Sequence, residues 1–292
     1  MDAQGRNPRV AFVLPAKNEE ATIGSVIDDL SRIAQREGWR FCVIVADDSD
    51  DGTAAIAVSR GAKVVAGGRV GLGQAVMRGL AAALEFSPDW VFSLDCDGQV
   101  DVSELPAFLA AAQLERADVV LSSRFLAGRQ IEYPYPTINW IGNRILVAIL
   151  RLATGYRFTD SHGGIRLMRA SILPGLKLLG RHTYVQETLV QMHRSGARII
   201  ELPSRWKKRE AGESRVVRSV VRYGVRTLPA LLYWLRLHYV AVALAIFLAA
   251  ELAWSASLHP WSSPALAAIG GFLLLISRLH LTALRISAHE GE

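Results

Sequence analysis

The sequence predicts an α/β domain with a mainly parallel sheet flanked by helices, then a juxtamembrane amphipathic helix, then a C-terminal transmembrane helical hairpin. Three observations predict it. Short apolar runs alternate with helical patterns from residue 9 to residue 122, residues 201–226 are strongly basic, and two apolar stretches close the chain. The expected boundaries are 1–210 for the α/β domain, 211–236 for the basic helix and 237–292 for the hairpin with a short tail.

The elements follow in order. Arg9 to Pro15 reads as a buried strand and Glu19 to Arg36 as a helix. Phe41 to Ala46 is a second strand, closed by Asp47 and Asp48. A helix through Thr53–Arg60 and a strand at Ala62–Ala66 come next. Gly73 to Phe86 is helical, and Trp90 to Leu94 is a strand ending in Asp95-Cys96-Asp97. Glu104 to Glu115 is helical, and Val119–Ser122 is a further strand. Strands alternating with helices of this length specify a parallel sheet covered on both faces.

Thr137 to Leu152 is a helix apolar nearly all round, with Arg144 and Arg151 inserted. Most of its surface is expected in a core, the alternative being a helix lying near lipid. Arg218, Arg222 and Arg226 are spaced by four and form one stripe on a helix. A basic amphipathic helix before an apolar stretch reads as a membrane-surface element. Leu237 to Trp254 is long enough to span a bilayer, which takes about 20 residues, and Pro264 to Ser277 reaches that length only if Leu279–Leu284 extend it. The tryptophans at 254 and 261 suit an interfacial belt, and Arg278 and Arg285 suit a cytoplasmic exit.

Composition narrows the function. Hydrophobic residues make up 51% of the 292, and the formal charge of +6 asks for an anionic partner. The basic residues sit beside apolar segments without an interleaved aromatic platform, which argues against nucleic acid. Gly68 to Gly73 lacks the G-x-G-x-x-G spacing of a dinucleotide site, and no Gly-Lys-Ser/Thr of a P-loop occurs. Cys42 and Cys96 fall on separate strands and are expected as thiols rather than a disulfide. The polar stretch 1–9 is not expected to be a secretory signal.

The polar residues cluster where such a sheet binds ligands. Asn18 and Glu19, Asp47 and Asp48, and Asp95 and Asp97 all lie at or just past the C-terminal ends of predicted strands. The run Asp47 to Gly52 has a plainer reading as a turn that caps the next helix. Asp95 and Asp97, one residue apart, can hold a hard divalent cation against a diphosphate, with Gln99 adding a neutral oxygen. At an effective dielectric of about 20, unit charges roughly 4 Å apart interact by about 4 kcal/mol. Each 1.36 kcal/mol is a tenfold rate change, so one ion can supply several decades.

An ordered set of pieces then resembles a known family. They are Leu14-Pro15-Ala16-Lys17-Asn18-Glu19-Glu20, Ala46 to Thr53, Gly71-Leu72-Gly73-Gln74-Ala75, Asp95-Cys96-Asp97-Gly98-Gln99 and Ser122-Ser123-Arg124-Phe125. Asp160 to Arg166, Gln186-Glu187 and Arg209 to Arg215 follow. Over roughly residues 9–216 the chain is similar to a family 2 glycosyltransferase of the dolichyl-phosphate mannosyltransferase type. The resemblance implies a glycosyltransferase-A-type fold. It implies that Pro15, Lys17, Asn18, Glu19, Asp47, Asp48, Asp95 and Cys96 form the nucleotide site. Arg209 and Arg215 would close over phosphates on a loop. Asp95, Asp97 and Gln99 would bind Mg²⁺ or Mn²⁺, Arg124 would meet the acceptor phosphate, and Gln186 and Glu187 would shape the sugar pocket. Asp95, Asp97 and Arg124 are thus the expected catalytic residues.

Some positions depart from the family pattern. Lys17 stands where many members carry an aromatic, Ile165 where phenylalanine is usual and Arg215 where lysine is usual. Asn139 and Trp140 occupy a stretch where the family often has a phosphate-binding arginine, and Arg129 or Arg144 is the expected substitute. No Gln-x-x-Arg-Trp follows Gln186-Glu187, which argues against a processive polysaccharide synthase. The implied reaction is inverting transfer of a sugar from GDP-mannose or a UDP-sugar to a polyisoprenyl phosphate. It would occur on the cytoplasmic face of a membrane that the hairpin crosses and through which a homo-oligomer would form. Transfer to a lipid hydroxyl and a non-catalytic membrane scaffold remain the alternatives.

Overall fold

The computed structural model describes residues 6–178, 184–208 and 271. Contacts divide the chain into two units, Met1–Val220 and Val221–Glu292, and every element below lies in the first. The basic helix, the hairpin, Arg209 and Arg215 lie outside the described residues. Among the described residues, no helix is long and apolar enough to cross a membrane.

A seven-stranded sheet organises the domain. Its strands are β1 (Arg9–Ala16), β2 (Arg40–Asp47), β3 (Lys63–Ala66), β4 (Trp90–Leu94), β5 (Val119–Ser123), β6 (Ile165–Arg169) and β7 (Ile199–Pro203), in the spatial order β3-β2-β1-β4-β6-β5-β7. Pairings β1–β2, β2–β3, β1–β4 and β5–β7 are parallel, whereas β6 runs antiparallel between β4 and β5. β4 and β5 are buried along their whole length, and β1 from its second residue, as both-face coverage requires.

The flanking helices are α1 (Ile23–Arg36), α2 (Thr53–Ser59), α3 (Leu72–Leu84), α4 (Leu105–Leu114), α5 (Thr137–Thr154) and α6 (Tyr184–Arg194). α1 buries Ile23, Val26, Ile27, Leu30, Ile33 and Ala34, the spacing of a single helical face. Beneath it, Phe12 stacks on Phe92 at 5.7 Å, and Trp39 lies 6.2 Å from Phe92. On the opposite sheet face, α3 approaches β1 and β2 at Gly79, where an added Cβ would come within 2.6 Å of Val13. The small residue sets that close layer spacing.

The strand ends line up. Ala16 is level with Asp47, Asp47 with Ala66, Leu94 with Ile165 and Ser123 with Pro203. Loops leaving β1, β2, β3, β4, β5 and β7 therefore share one edge with the loop entering β6.

α5 corrects the expectation of a mostly buried helix. Asn143, Val147 and Leu150 are buried, whereas Ile138, Trp140, Ile141, Ile145 and Leu152 are exposed. Positions 138, 141, 145 and 152 repeat at helical spacing and form one stripe, with Trp140 off it beside Arg144. The buried face of α5 is narrow because the helix rests on the domain along one line.

Phe92→Ala should destabilise the domain by about 3–5 kcal/mol, the usual cost of deleting a buried aromatic. Chemical denaturation followed by circular dichroism measures it. A change in the midpoint without a change in slope is the expected form.

Candidate active site

β1 ends in a turn that binds the turn after β2. Asn18 adopts a left-handed backbone, with φ of 52°, which its short amide side chain tolerates. Its N–H donates to Ser49 Oγ at 2.7 Å, and its Oδ1 accepts from the Asp50 N–H at 2.9 Å. The Glu19 N–H donates to Thr53 Oγ1 at 2.9 Å.

The acidic run after β2 divides its tasks. Asp51 closes the turn before α2, whose N-cap is Gly52, by accepting from Thr53 N at 3.0 Å. Asp50 pairs with Arg69. Asp48 Oδ1 accepts from the Arg69 N–H at 2.8 Å, and a Cβ on Gly67 would strike its carboxylate at 2.6 Å. Asp47, half-buried, accepts from Ser49 N at 3.3 Å. The turn reading holds for Asp51, and Asp47 and Asp48 stand at the strand edge.

Past β4 the chain turns around Cys96. Its thiol points inward and donates to Pro15 O at 3.3 Å, and its carbonyl accepts from Thr22 Oγ1 at 2.7 Å. Burial first, then the negative charges of Glu19, Asp95 and Asp97, hold the thiol well above its ordinary pKa. Those three carboxylates therefore gather around a neutral, buried sulfur. Both cysteines are free, Cys96 buried and Cys42 half-buried.

The Asp97 side chain is buried, and its Oδ1 accepts from Gln99 N at 3.0 Å. Gln99 Nε2 donates to Tyr133 Oη at 3.4 Å and to Lys207 O at 3.3 Å, leaving Oε1 as the end that can serve a cation. Among the described residues no three acidic, histidine or cysteine side chains form a metal cage. Two carboxylates and an amide oxygen fit a hard divalent ion whose remaining positions belong to a diphosphate and water, the usual habit of Mg²⁺.

Arg124 leaves the end of β5 into a tight enclosure. Its Nε and Nη2 donate to Asp160 at 2.7 and 2.8 Å, and its backbone N–H donates to the same carboxylate at 3.1 Å. Tyr135 Oη accepts from Nη1 at 3.3 Å, and the Trp206 ring lies 4.5 Å from the guanidinium carbon. Both charges are buried, with side-chain exposures of 4% and 0%. Burial opposes ionisation of Asp160, but the charge and hydrogen bonds of Arg124 prevail and hold its carboxyl below the usual range.

The loop entering β6 makes the remaining contacts. A Cβ on Gly163 would lie 1.9 Å from Ser122 O, so this position admits only glycine. Ser161 N–H and Oγ both reach Asn143 Oδ1 of α5, at 3.0 and 2.6 Å. Gln186 Nε2 lies 3.0 Å from His162 Nε2, and Ser161 Oγ lies 2.6 Å from Nδ1. The Gln186 amide donates, so Nε2 accepts and Nδ1 carries the proton, making His162 a neutral link between α6 and this loop. Burial, then the Arg124 charge, lowers the His162 pKa to about 4.

The structure thus brings together Pro15, Asn18, Glu19, Asp47, Asp48, Asp95, Asp97, Gln99, Arg124, Gln186 and Glu187 along one edge, the last two fully buried at the start of α6. Lys17 is exposed in the turn after β1. Arg129 donates to Tyr135 O at 3.4 Å and so borders the Arg124 enclosure. Arg144 lies exposed on α5, over the Trp140 ring. Sequence reasoning assigned no role to Asp160, His162, Tyr133, Tyr135 or Trp206. Asp160 and His162 stand inside the Asp-Ser-His-Gly-Gly stretch, whose polar residues before an apolar strand were the available signal.

The model of Glycosyl transferase family 2 matches residues 11–176. The chain belongs to that family. Dolichyl-phosphate hexose transferase of Haloferax volcanii is 31% identical over 207 residues, covering 71% of this chain and 86% of that protein. Undecaprenyl-phosphate mannosyltransferase of Micrococcus luteus is 29% identical over 226 residues, covering 73% of this chain and 89% of that protein. A crystal structure of glucosyl-3-phosphoglycerate synthase from Mycobacterium tuberculosis, in complex with Mn²⁺, UDP-glucose and phosphoglyceric acid, superposes with a TM-score of 0.61 at 25% identity, covering 80% of each chain. The fold of this family 2 glycosyltransferase is accordingly of the mixed α/β glycosyltransferase-A kind, with a mostly parallel sheet.

The lowered His162 pKa gives a stability test. The unfolded chain binds a proton near 6.5 that the folded chain refuses until about 4, so stability should fall as pH drops through that window. A shift of that size corresponds to about 3 kcal/mol. Urea titrations of wild type and His162→Gln at the two ends of the window should show the decline shrinking in the variant, while slopes from other groups cancel in the difference.

Proposed function

We propose that this chain transfers a sugar from a nucleotide-sugar to a polyisoprenyl phosphate at a membrane surface. The observation that carries it is the pairing, on one edge, of an acidic diphosphate end at Asp95, Asp97 and Gln99 with a charge-balanced arginine end at Arg124 and Asp160. Tyr133 and Tyr135 join the two ends, since Gln99 meets the first hydroxyl and Arg124 the second. The similarity to a dolichyl-phosphate hexose transferase and an undecaprenyl-phosphate mannosyltransferase supports a polyprenyl-phosphate acceptor.

α5 supports a lipid acceptor. Asn143 ties the helix to the loop that carries Asp160, and the same helix exposes Ile138, Trp140, Ile141 and Ile145. An apolar stripe bordered on one side by Arg144 and Arg151 suits a bilayer interface. The basic helix at 211–236 and the hairpin at 237–292 would add to that anchorage and place the domain on the cytoplasmic side.

The chemistry follows from the acceptor. A phosphate monoester has a second pKa of about 6 and is largely a dianion near neutrality. No general base is needed. One phosphate oxygen forms the new bond to the anomeric carbon as the bond to the nucleoside diphosphate breaks, and the diphosphate leaves with the electron pair, inverting that carbon. Asp95, Asp97 and Gln99 would hold Mg²⁺ or Mn²⁺, which would supply charge stabilisation to the leaving diphosphate. Asn18, Glu19 and Asp47 orient the nucleoside. Arg124 orients the acceptor phosphate, and Asp160 offsets most of its charge so that the nucleophile is positioned without being quenched. Arg129 sits beside this pocket to take a second phosphate oxygen.

With radiolabelled donors, the purified chain should label a polyprenyl phosphate, and a chelator should abolish the labelling until Mg²⁺ or Mn²⁺ is restored. Asp97→Asn should lower turnover by about 100-fold or more, the scale of losing one preorganised electrostatic group. Labelling of free hydroxyl acceptors alone, or transfer indifferent to the chelator, contradicts the assignment.

A further inference from the structure

We infer that Glu201 and Thr159 are positioning residues for the transfer reaction, setting the Arg124–Asp160 pair through a directed chain of hydrogen bonds. This rests on the reading of Arg124 as the group that meets the acceptor.

Glu201 stands in the middle of β7, level with Leu121 of β5. Its two carboxylate oxygens collect the corner that precedes β6. The Thr159 N–H reaches both, at 3.1 and 2.9 Å, Thr159 Oγ1 donates to Oε2 at 2.9 Å, and the Asp160 N–H approaches Oε1 at 3.4 Å. Asp160 is therefore fixed from behind by Glu201 while its own carboxylate grips Arg124.

The other side of Arg124 is held by the same acid. Ser123 Oγ and Thr159 Oγ1 lie 2.6 Å apart, and Ser123 Oγ accepts from the Phe125 N–H at 3.1 Å. An ionised carboxylate only accepts, so the Thr159 proton must point to Glu201. Thr159 Oγ1 then accepts from Ser123, and Ser123 accepts from Phe125. The chain Phe125 N–H to Ser123 to Thr159 to Glu201 has one direction, and it brackets Arg124 between residues 123 and 125. Ser123 is fully buried, so its hydroxyl has no water to turn to.

Protonated Glu201 reverses the order. The acid then presents a proton of its own to Thr159 Oγ1, Thr159 donates to Ser123, and Ser123 receives two donors and must send its proton elsewhere. Burial, with the Asp160 charge adding to it against the Thr159 hydrogen bonds, pushes the Glu201 pKa up to about 7. The titratable groups facing it are Asp160 and the Tyr156 phenol, itself raised to about 12 by burial and then by Glu201. Arg151 of α5 enters the same loop, donating to Phe158 O at 2.6 Å. The reversal thus falls within the working pH range, with the corner ordered above it and loosened below.

The test uses the full chain in detergent, with donor and polyprenyl phosphate varied separately at several pH values. In wild type, kcat/KM for the acceptor should fall as pH drops through 7, above the separate limb from the acceptor's own titration near 6. Glu201→Gln should remove the upper limb and keep the lower one. Thr159→Val should raise the acceptor KM by about tenfold, the effect of losing one hydrogen bond to a charged group. Its donor KM should stay within twofold of wild type, and Thr159→Ser should restore the acceptor KM. A wild-type pH profile in Glu201→Gln, with only the melting temperature lowered, overturns the inference and leaves the proposed function standing. A wild-type chain that labels no polyprenyl phosphate overturns the acceptor reading itself.

Discussion

A buried guanidinium must have a counter-charge, and the domain is arranged around supplying one to Arg124. An unpaired charge in a protein interior costs several kcal/mol even after relaxation. Asp160 meets that cost because β6 runs against its neighbours. The reversal brings the beginning of β6, rather than its end, to the edge where β5 delivers Arg124. The approach is close enough that Gly163 passes directly under Ser122 O, and Gly164 leaves room for the Trp206 ring that covers the guanidinium. An all-parallel sheet would carry this loop to the opposite edge. The single antiparallel strand is thus part of the site.

The end proposed to take the donor has a different electrostatic arrangement. Glu19, Asp95 and Asp97 all raise the energy of a charge at Cys96, so three carboxylates crowd one buried sulfur. A neutral thiol between them adds no further repulsion. In the reading proposed here, a divalent ion shared with a diphosphate would sit beside these carboxylates and bring the leaving group into place. The structurally similar synthase complex contains Mn²⁺ together with UDP-glucose. In that reading the donor arrives with a metal, and the acceptor meets an arginine whose charge Asp160 already balances.

The strands carrying the donor end were legible in the sequence because they are buried on both faces. Runs such as Phe41 to Ala46 and Trp90 to Leu94 announce themselves by continuous apolarity, and the aspartates after them mark the edge. β6 and β7 were not foreseen. Ile165–Arg169 alternates apolar residues with two arginines, and Ile199–Pro203 contains Glu201, so neither reads as a buried strand until its polar residues have partners. Their roles depend on contacts between residues far apart in sequence: Arg124 with Asp160, Glu201 with Thr159, Gln99 with Tyr133. Such pairs have no local periodicity to betray them. α5 was misjudged for a related reason, since apolarity all round a helix shows that it avoids water without showing whether protein or lipid covers it.

In the reading proposed here, α5 also explains how a lipid carrier and a phosphate-binding corner can act as one unit. Asn143 accepts two hydrogen bonds from Ser161, one residue from Asp160, while Val147 and Leu150 seat the helix on the domain. The His162 and Gln186 contacts brace the same loop from α6, and Glu201 braces it from β7. A loop held from three elements has little freedom, so the position of α5 at an interface and the position of Arg124 beneath the acceptor phosphate are fixed relative to one another. For a reaction that needs no general base, that geometry is most of what this end of the site has to provide: an oxygen held in line with the anomeric carbon does not depend on a proton being moved.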